Sequence, residues 1–171
     1  MSIAGALWRH LHMRRRFARR GRDVRVEGRL WIHGAGQVEV GDGTRFLGGD
    51  VGVDLHPLAN GCIRIGAGCR VHEGVSIEAT ELVQLGDRVT VGAWVKVLDN
   101  DFHPLRGEPG EQPPPEPVVI GDDVVIGARA IILPGARIEN GARVAPKAVV
   151  RRRVRQGSLV SGNPARVVGS A

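Results

Sequence analysis

A period of six residues restricts this chain's fold more than any other feature. Counting in sixes from Ile120 lands on Ile126, Ile132, Ile138, Val144 and Val150, aliphatic every time. The residues four positions after Ile120 and its successors are Val124, Ala130, Ala136, Ala142, Ala148 and Val154, all small or aliphatic. The same beat recurs at Leu85, Val91 and Val97, with Val89 and Val95 between them, and at Ile65, Val71 and Ile77, with Cys69 and Val75. A helix repeats about every 3.6 residues and a strand every two, so neither runs unbroken through such a pattern. Short strands joined by turns, three to a coil and wound as a triangle, do fit. Both marked positions then point inward, and stacked coils hydrogen-bond edge to edge. Glycine follows the aliphatic residue at 66, 86, 92, 121 and 127, where a tight corner calls for it. With 25 glycines and no tyrosine, the chain reads as all-β.

The beat slips twice. From Ile77 to Leu85 the spacing is eight, which predicts a small insertion or a bulged corner. Between Val97 and Ile120 lies "VLDNDFHPLRGEPGEQPPPEP" and its tail, where Gly107, Gly110 and Pro113 to Pro115 exclude regular structure. The coil therefore extrudes a loop over 98–119, and long loops inside compact domains are usually functional. Residues 24–60 keep a weaker beat, with Val38 and Val40, then Val51 and Val53, in alternating pairs, and read as degenerate early coils. Ile3, Leu7 and Leu11 fall on one side of a helix predicted over 3–20. An open coil end exposes core and strand edges, so this helix is expected to cap it; contact with a membrane surface is its alternative use. The organisation expected is a basic N-terminal helix at 1–22 and one coil domain at 23–171, ending in a segment at 155–171. A chain of 171 residues is long enough for such a core.

Charge and cysteines narrow the setting. The formal net charge is +6, and lysine stands only at 96 and 147. Arginine thus carries the positive charge, concentrated at 14–25 and 151–155, and it suits phosphates and planar anions. Cys62 and Cys69 are too few for a disulfide framework and point to a reducing compartment. In "MSIAGALWRHLHMRRRFARR" the apolar stretch is too short for a secretory signal, and the charges follow it. Nothing elsewhere approaches a membrane span, so the expectation is a cytoplasmic protein.

The hexads, "DFHP" in the loop and the C-terminal "GSLVSGNPARVV" together resemble the hexapeptide-repeat acyltransferases. Within them, the chain is similar to the branch of maltose, galactoside and Nod-factor O-acetyltransferases and polysaccharide-modifying enzymes, over roughly residues 60–168. The resemblance implies a left-handed parallel β-helix, a homotrimer with active sites between subunits, an acyl-CoA (first of all acetyl-CoA) as cosubstrate, and no metal.

Acyl transfer from a thioester needs a base, oxyanion donors and a positioned cosubstrate. The resemblance assigns the base to His103, whose imidazole is poised near neutral pH. Asp99 and Asp101 flank it, and either would fix the ring tautomer; the sequence does not choose between them. The oxyanion donor of similar enzymes aligns with the backbone N–H of Ala128 in "VVIGARA", although relatives often carry Trp where this chain has Val125. For the CoA phosphates, the matching cations are Arg151, Arg152 and Arg166, with Arg153 and Arg155 adding to the field. Ala128, Pro146, Gly162, Asn163, Pro164 and Ala165 complete the cosubstrate site that the resemblance implies. His72 aligns with an asparagine that holds the acceptor, and Asp101 is its companion; Glu73 and Glu78 are weaker candidates.

The expected function is O-acylation of a saccharide hydroxyl in cell-surface polysaccharide or lipopolysaccharide synthesis, with an amino-sugar amine as the alternative and free serine or an antibiotic behind it. A zinc enzyme of the carbonic-anhydrase kind on the same coil needs three converging histidines, two of them five apart. No such spacing occurs, and His56, His72 and His103 would have to meet unusually. A non-enzymatic basic protein using residues 9–25 is the remaining class. The coil is sparing of aromatics for base stacking, so no nucleic-acid partner is expected.

Overall fold

A computed structural model describes residues 17–101 and 113–171, and every regular element among them is a β-strand. The strands lie on three faces. The first carries Arg19–Arg20, Gln37–Val40, Cys62–Ile65, Leu82–Leu85, Val118–Ile120 and Arg137–Ile138 in one parallel sheet. The second carries Arg70–His72, Thr90–Val91, Val125–Ile126, Arg143–Val144 and Ser158–Ser161. The third carries Ser76–Ala79, Lys96–Leu98, Ile131–Ile132 and Val149–Val150. In the early coils two long strands, Arg25–Ile32 and Arg45–Pro57, turn the corner between the second and third faces without a break.

The six-residue beat becomes this triangle. Ile120 pairs with Ile138, Ile126 with Val144 and Ile132 with Val150, each eighteen residues on, which is three hexads per coil. Both marked positions of every hexad from Ile120 to Val154 are buried. Their apolar surface is the main driving force for folding, at about 25 cal/mol per Å² removed from water. The corners work differently from the sequence expectation. The left-handed backbone falls on the third residue after each aliphatic, at Gly68, Gly74, Arg88, Trp94, Asp123, Arg129, Gly135, Gly141 and Lys147; for a side chain other than glycine it costs roughly 1–2 kcal/mol. The glycines directly after the aliphatics are required by stacking instead. A Cβ on Gly66 would lie 2.4 Å from the Gly86 carbonyl oxygen, and one on Gly127 would lie 2.5 Å from the Pro146 nitrogen. Gly66→Ala is therefore expected to cost roughly 1–3 kcal/mol, whereas Gly141→Asn, with open space around it and a residue type tolerant of the left-handed region, should cost little. Thermal unfolding of the two variants checks this, and equal losses would sink the stacking account.

One corner adds a polar ladder. The Ala67 N–H donates to the Asp87 carboxylate at 2.7 Å, the Asp87 N–H to Asp122 at 2.8 Å, and the Asp122 N–H to the Asn140 side chain at 2.9 Å. Cys69 is buried in the core, and loss of water pushes its thiol up to about 11, so it stays protonated and inert.

Two expectations are corrected at the N-terminal side. Residues 1–16 of the predicted helix lie outside the described residues, but residues 19–20, assigned to it by the same reading, form a strand paired with Glu39–Val40. Phe17 is buried beside them. The first coil edge is thus covered by a parallel strand, which satisfies its N–H and C=O groups directly. Val51 does not share the inward face of Val53: it is exposed while Gly52 and Val53 are both buried. Register shifts at Glu27, Gly28 and Leu30, opposite Gly49 and Val53, carry the extra residues and reset the alternation.

At the other end, Ser158–Ser161 lies parallel on Arg143–Val144, and the chain then reverses so that Arg166–Ser170 pairs with it antiparallel.

Candidate functional site

The loop predicted over 98–119 leaves the coil after Leu98 and rejoins it at Val118. His103 lies outside the described residues, as does everything from 102 to 112, but the neck of the loop is well defined. The Glu116 N–H donates to the Asp99 carbonyl at 2.7 Å and closes it. The Asp99 side chain is fully buried and accepts three backbone N–H groups: Thr80 at 2.7 Å, Glu81 at 2.8 Å and Leu82 at 2.7 Å. These donors belong to the eight-residue slip between Ile77 and Leu85. The two irregularities of the sequence are therefore one feature, with a bulged corner in one coil held by the carboxylate at the loop root of the next. Asn100 joins it by donating from Nδ2 to the Thr80 hydroxyl. Both oxygens of Asp99 are thus committed to backbone, whereas Asp101 is exposed and lines a cleft of about 270 Å³ with Leu58, Thr80, Asn100 and Pro113 to Pro115. Thr80 and Asn100 were not singled out from sequence; the slip at 77–85 was the signal that pointed to them.

Three more of the expected residues form a row at the corner between the second and third faces. Because Ile126, Val144 and Val160 are in register, Ala128, Pro146 and Gly162 occupy the same position in successive coils, about 4.8 Å apart. The Ala128 carbonyl accepts the Lys147 N–H at 2.9 Å. Ala128 is an exposed residue, and its own N–H donates to no group of the chain among the described residues. His72 stands at the same corner two coils lower, about 10 Å from the level of Ala128, with Glu73 exposed beside it. Glu78 is on the third face, paired with His56 and Leu98.

The C-terminal turn links that row to the arginines. The Gly162 carbonyl accepts the Val149 N–H at 2.9 Å, and the Ala165 N–H donates to the Val149 carbonyl at 2.8 Å. Between them the Asn163–Pro164 peptide is cis. The turn lays Pro164 and Ala165 along a cleft of about 330 Å³ that also holds Arg151, Arg152, Arg153 and Arg166. Arg153 is engaged: its Nε donates to Glu139 at 2.6 Å. The Gln156 N–H and Arg153 hold the Glu139 carboxyl below the usual carboxylate range. Arg151, Arg152 and Arg166 face no carboxylate within ion-pair distance among the described residues, so their positive charge is available to an anion.

His56 and His72 lie on different faces of the coil. His56 instead packs edge-on against His33, with ring centroids 4.8 Å apart, and His33 Nε2 is 3.1 Å from Asp54.

Comparison with known proteins agrees with this architecture. The family model described as bacterial transferase hexapeptide (six repeats) matches residues 117–152. A 2,3,4,5-tetrahydropyridine-2,6-dicarboxylate N-acetyltransferase of Staphylococcus aureus is 49% identical over 61 residues, 36% of this chain and 26% of that protein; the match thus spans about a quarter of that curated relative. Among solved structures, a hexapeptide-repeat acetyltransferase from Vibrio cholerae complexed with acetyl coenzyme A superposes with a TM-score of 0.64 at 24% identity, over 99% of this chain and 79% of that one. An N-acyltransferase from Bacillus cereus, complexed with dTDP and 3-hydroxybutyryl-CoA, gives 0.66 at 17% identity over 95% and 87%. The repeat implies a left-handed winding for the coil. The chain thus matches the hexapeptide-repeat model over residues 117–152 and shares its fold with these two solved structures.

Proposed function

We propose that the protein is an acyl-CoA-dependent acyltransferase, acetyl-CoA being the first choice of donor, that acylates a hydroxyl of a saccharide and works as a homotrimer. The observation that carries this reading is the continuous path from the free Ala128 N–H, along Pro146 and Gly162, to the unpaired arginines of the terminal cleft. A thioester of a phosphorylated carrier needs both ends of that path: an N–H where an oxyanion forms and cations where phosphates bind. The residues present fit such a cosubstrate, with Arg151, Arg152 and Arg166 as its phosphate partners and the turn at Gly162 to Ala165 beside it.

The bound cosubstrate supplies the activated acyl group. His103 takes the proton of the acceptor hydroxyl as its oxygen attacks the thioester carbonyl, and returns that proton to the departing thiol. Ala128 N–H faces the carbonyl oxygen as it becomes negative. The exposed Asp101 is the better orienter of the imidazole, since Asp99 is occupied by three N–H groups. His72 holds the acceptor. The N-acyl alternative is favoured by one observation, the N-acetyltransferase relative from Staphylococcus aureus; in that case the same base deprotonates an ammonium. A cytoplasmic setting suits a CoA-dependent reaction.

Calorimetric titration with acetyl-CoA tests the reading. Arg166→Ala, or Arg151 and Arg152 both replaced by alanine, should weaken binding by roughly 1–3 kcal/mol for each charge-assisted hydrogen bond to phosphate that is removed. Unchanged affinity would remove the arginine cleft from the site. A monomer by light scattering would remove the intersubunit arrangement.

A further inference from the structure

Three arginines stand in register on the outer side of the second face. Arg25 pairs with Arg45, and Arg45 with Arg70, so an arginine fills the same outward position in three successive coils, about 4.8 Å apart. All three are exposed, and none has a carboxylate within ion-pair distance among the described residues. Like charges directly across neighbouring strands destabilise a sheet. Other cations of the early coils are answered: Arg22 meets Asp42 at 3.0 Å, and Arg64 meets Glu39 at 3.7 Å. The row is not. Glu27 lies two residues from Arg25 on the same side, in register with Leu47, and forms an ion pair with none of the three. Thr90 and Val125 follow in the row before Arg143, so the unbroken run of charge belongs to the early coils.

The charge of the whole chain is polarised toward the same end. Residues 1–25 hold eight arginines and one acid, a net +7, whereas the remaining residues sum to −1. Residues 1–16 of this run lie outside the described residues, but their sequence sets Leu7, Trp8 and Leu11 among Arg9 and Arg14 to Arg16. The strands that carry Arg25 and Arg45 also expose Trp31 and Val51. A polyanion in solution, such as a nucleic acid, would answer the charge alone. An anionic bilayer takes up cations and apolar side chains together. The row spans two coil spacings, about 10 Å, close to the Debye length of about 8 Å at physiological salt, so its three charges feel one surface together. We propose that Arg25, Arg45 and Arg70 dock the early coils on an anionic lipid surface. The arginine cleft lies at the opposite end of the coil, where this docking leaves it open to a soluble cosubstrate.

The row variant combines Arg25→Gln, Arg45→Gln and Arg70→Gln, which remove charge from exposed positions and leave the core alone. Full-length protein is sedimented with vesicles of phosphatidylcholine alone, or of phosphatidylcholine and phosphatidylglycerol in equal parts. The wild type should bind the anionic vesicles and leave the neutral ones. The row variant should bind roughly a hundred-fold more weakly, at about five-fold for each arginine near the surface. Arg129→Gln, Arg137→Gln and Arg143→Gln together remove as much charge from exposed positions of the later coils and should leave binding near the wild-type value. No binding of the wild type to anionic vesicles, a loss below about ten-fold in the row variant, or an equal loss in both variants would each overturn the docking face. Tighter binding of the wild type to double-stranded DNA or to a soluble polyuronate than to the vesicles would overturn it too, by making the partner a polymer. The row variant should keep the wild-type oligomer mass and melt no lower, since it sheds like-charge repulsion. A smaller oligomer or a lower melting temperature would make the row a structural contact and sink the proposal.

Discussion

Alanine in place of His103 is expected to lower the initial rate of CoA release by about 10²–10⁴-fold, the usual contribution of a general base. Acetyl-CoA affinity and oligomer mass should stay at wild-type values. The expectation rests on the coil's own regularity. Val97 pairs in register with Ile77 on one side and Ile132 on the other, so the coil stacks in register up to the point where the chain leaves it. Removing the His103 imidazole therefore leaves the scaffold alone. The variant is assayed with a competent saccharide acceptor across a range of concentrations, so that loss of turnover is separated from loss of acceptor binding. Retention of more than about a tenth of the wild-type rate lies well outside the range for a lost base and would take His103 out of the role.

Asp99→Ala should have the largest effect on stability. Three backbone N–H groups lose a charged acceptor, and the Thr80 to Leu82 corner loses the staple that holds it to the loop root. With hydrogen bonds to charged groups each contributing about 1.5–3 kcal/mol and partial replacement by water at this half-exposed corner, the net loss is about 3 kcal/mol. At this chain length that is a fall of roughly 10 °C in melting temperature. Activity should fall with it, because the neck that Asp99 forms with Glu116 and the Thr80 to Leu82 corner is disrupted. Asp101→Asn provides the contrast: its carboxylate is exposed, so the melting temperature should hold while the rate drops. If Asp99→Asn instead melts normally and loses more rate than Asp101→Asn, the carboxylate that orients His103 is Asp99.

The coil was legible in the sequence because one six-residue rule specifies core, face and register at once. Each inward position from Ile120 to Val154 is set by its own residue type, with alanine at 130, 136, 142 and 148 where the section is narrow. What escaped depends on contacts between coils. The spacing of the corner glycines was visible, but their reason, a carbonyl or a proline of the adjacent coil within 3 Å of a Cβ, exists only after stacking. The strand at Arg19–Arg20 escaped because two residues carry no periodicity, and its partner at Glu39–Val40 is twenty residues away. For the site, Ala128, Pro146 and Gly162 were assigned through resemblance, and register then accounts for their shared row. The sequence left Asp99 and Asp101 equal as neighbours of His103; burial of one and exposure of the other separates them.

The reversed strand at Arg166–Ser170 has a consequence for assembly. A stack of parallel coils ends in an unpaired strand edge, and such an edge invites another molecule to continue the stack into a filament. By folding back antiparallel on Ser158–Ser161, the final segment presents the wrong direction for that continuation. The same segment contributes Arg166 to the cleft. If Arg166 binds the cosubstrate as proposed, loss of acetyl-CoA binding and a tendency to polymerise end to end should arise together when this segment is damaged, because Arg166 lies on the strand that reverses direction.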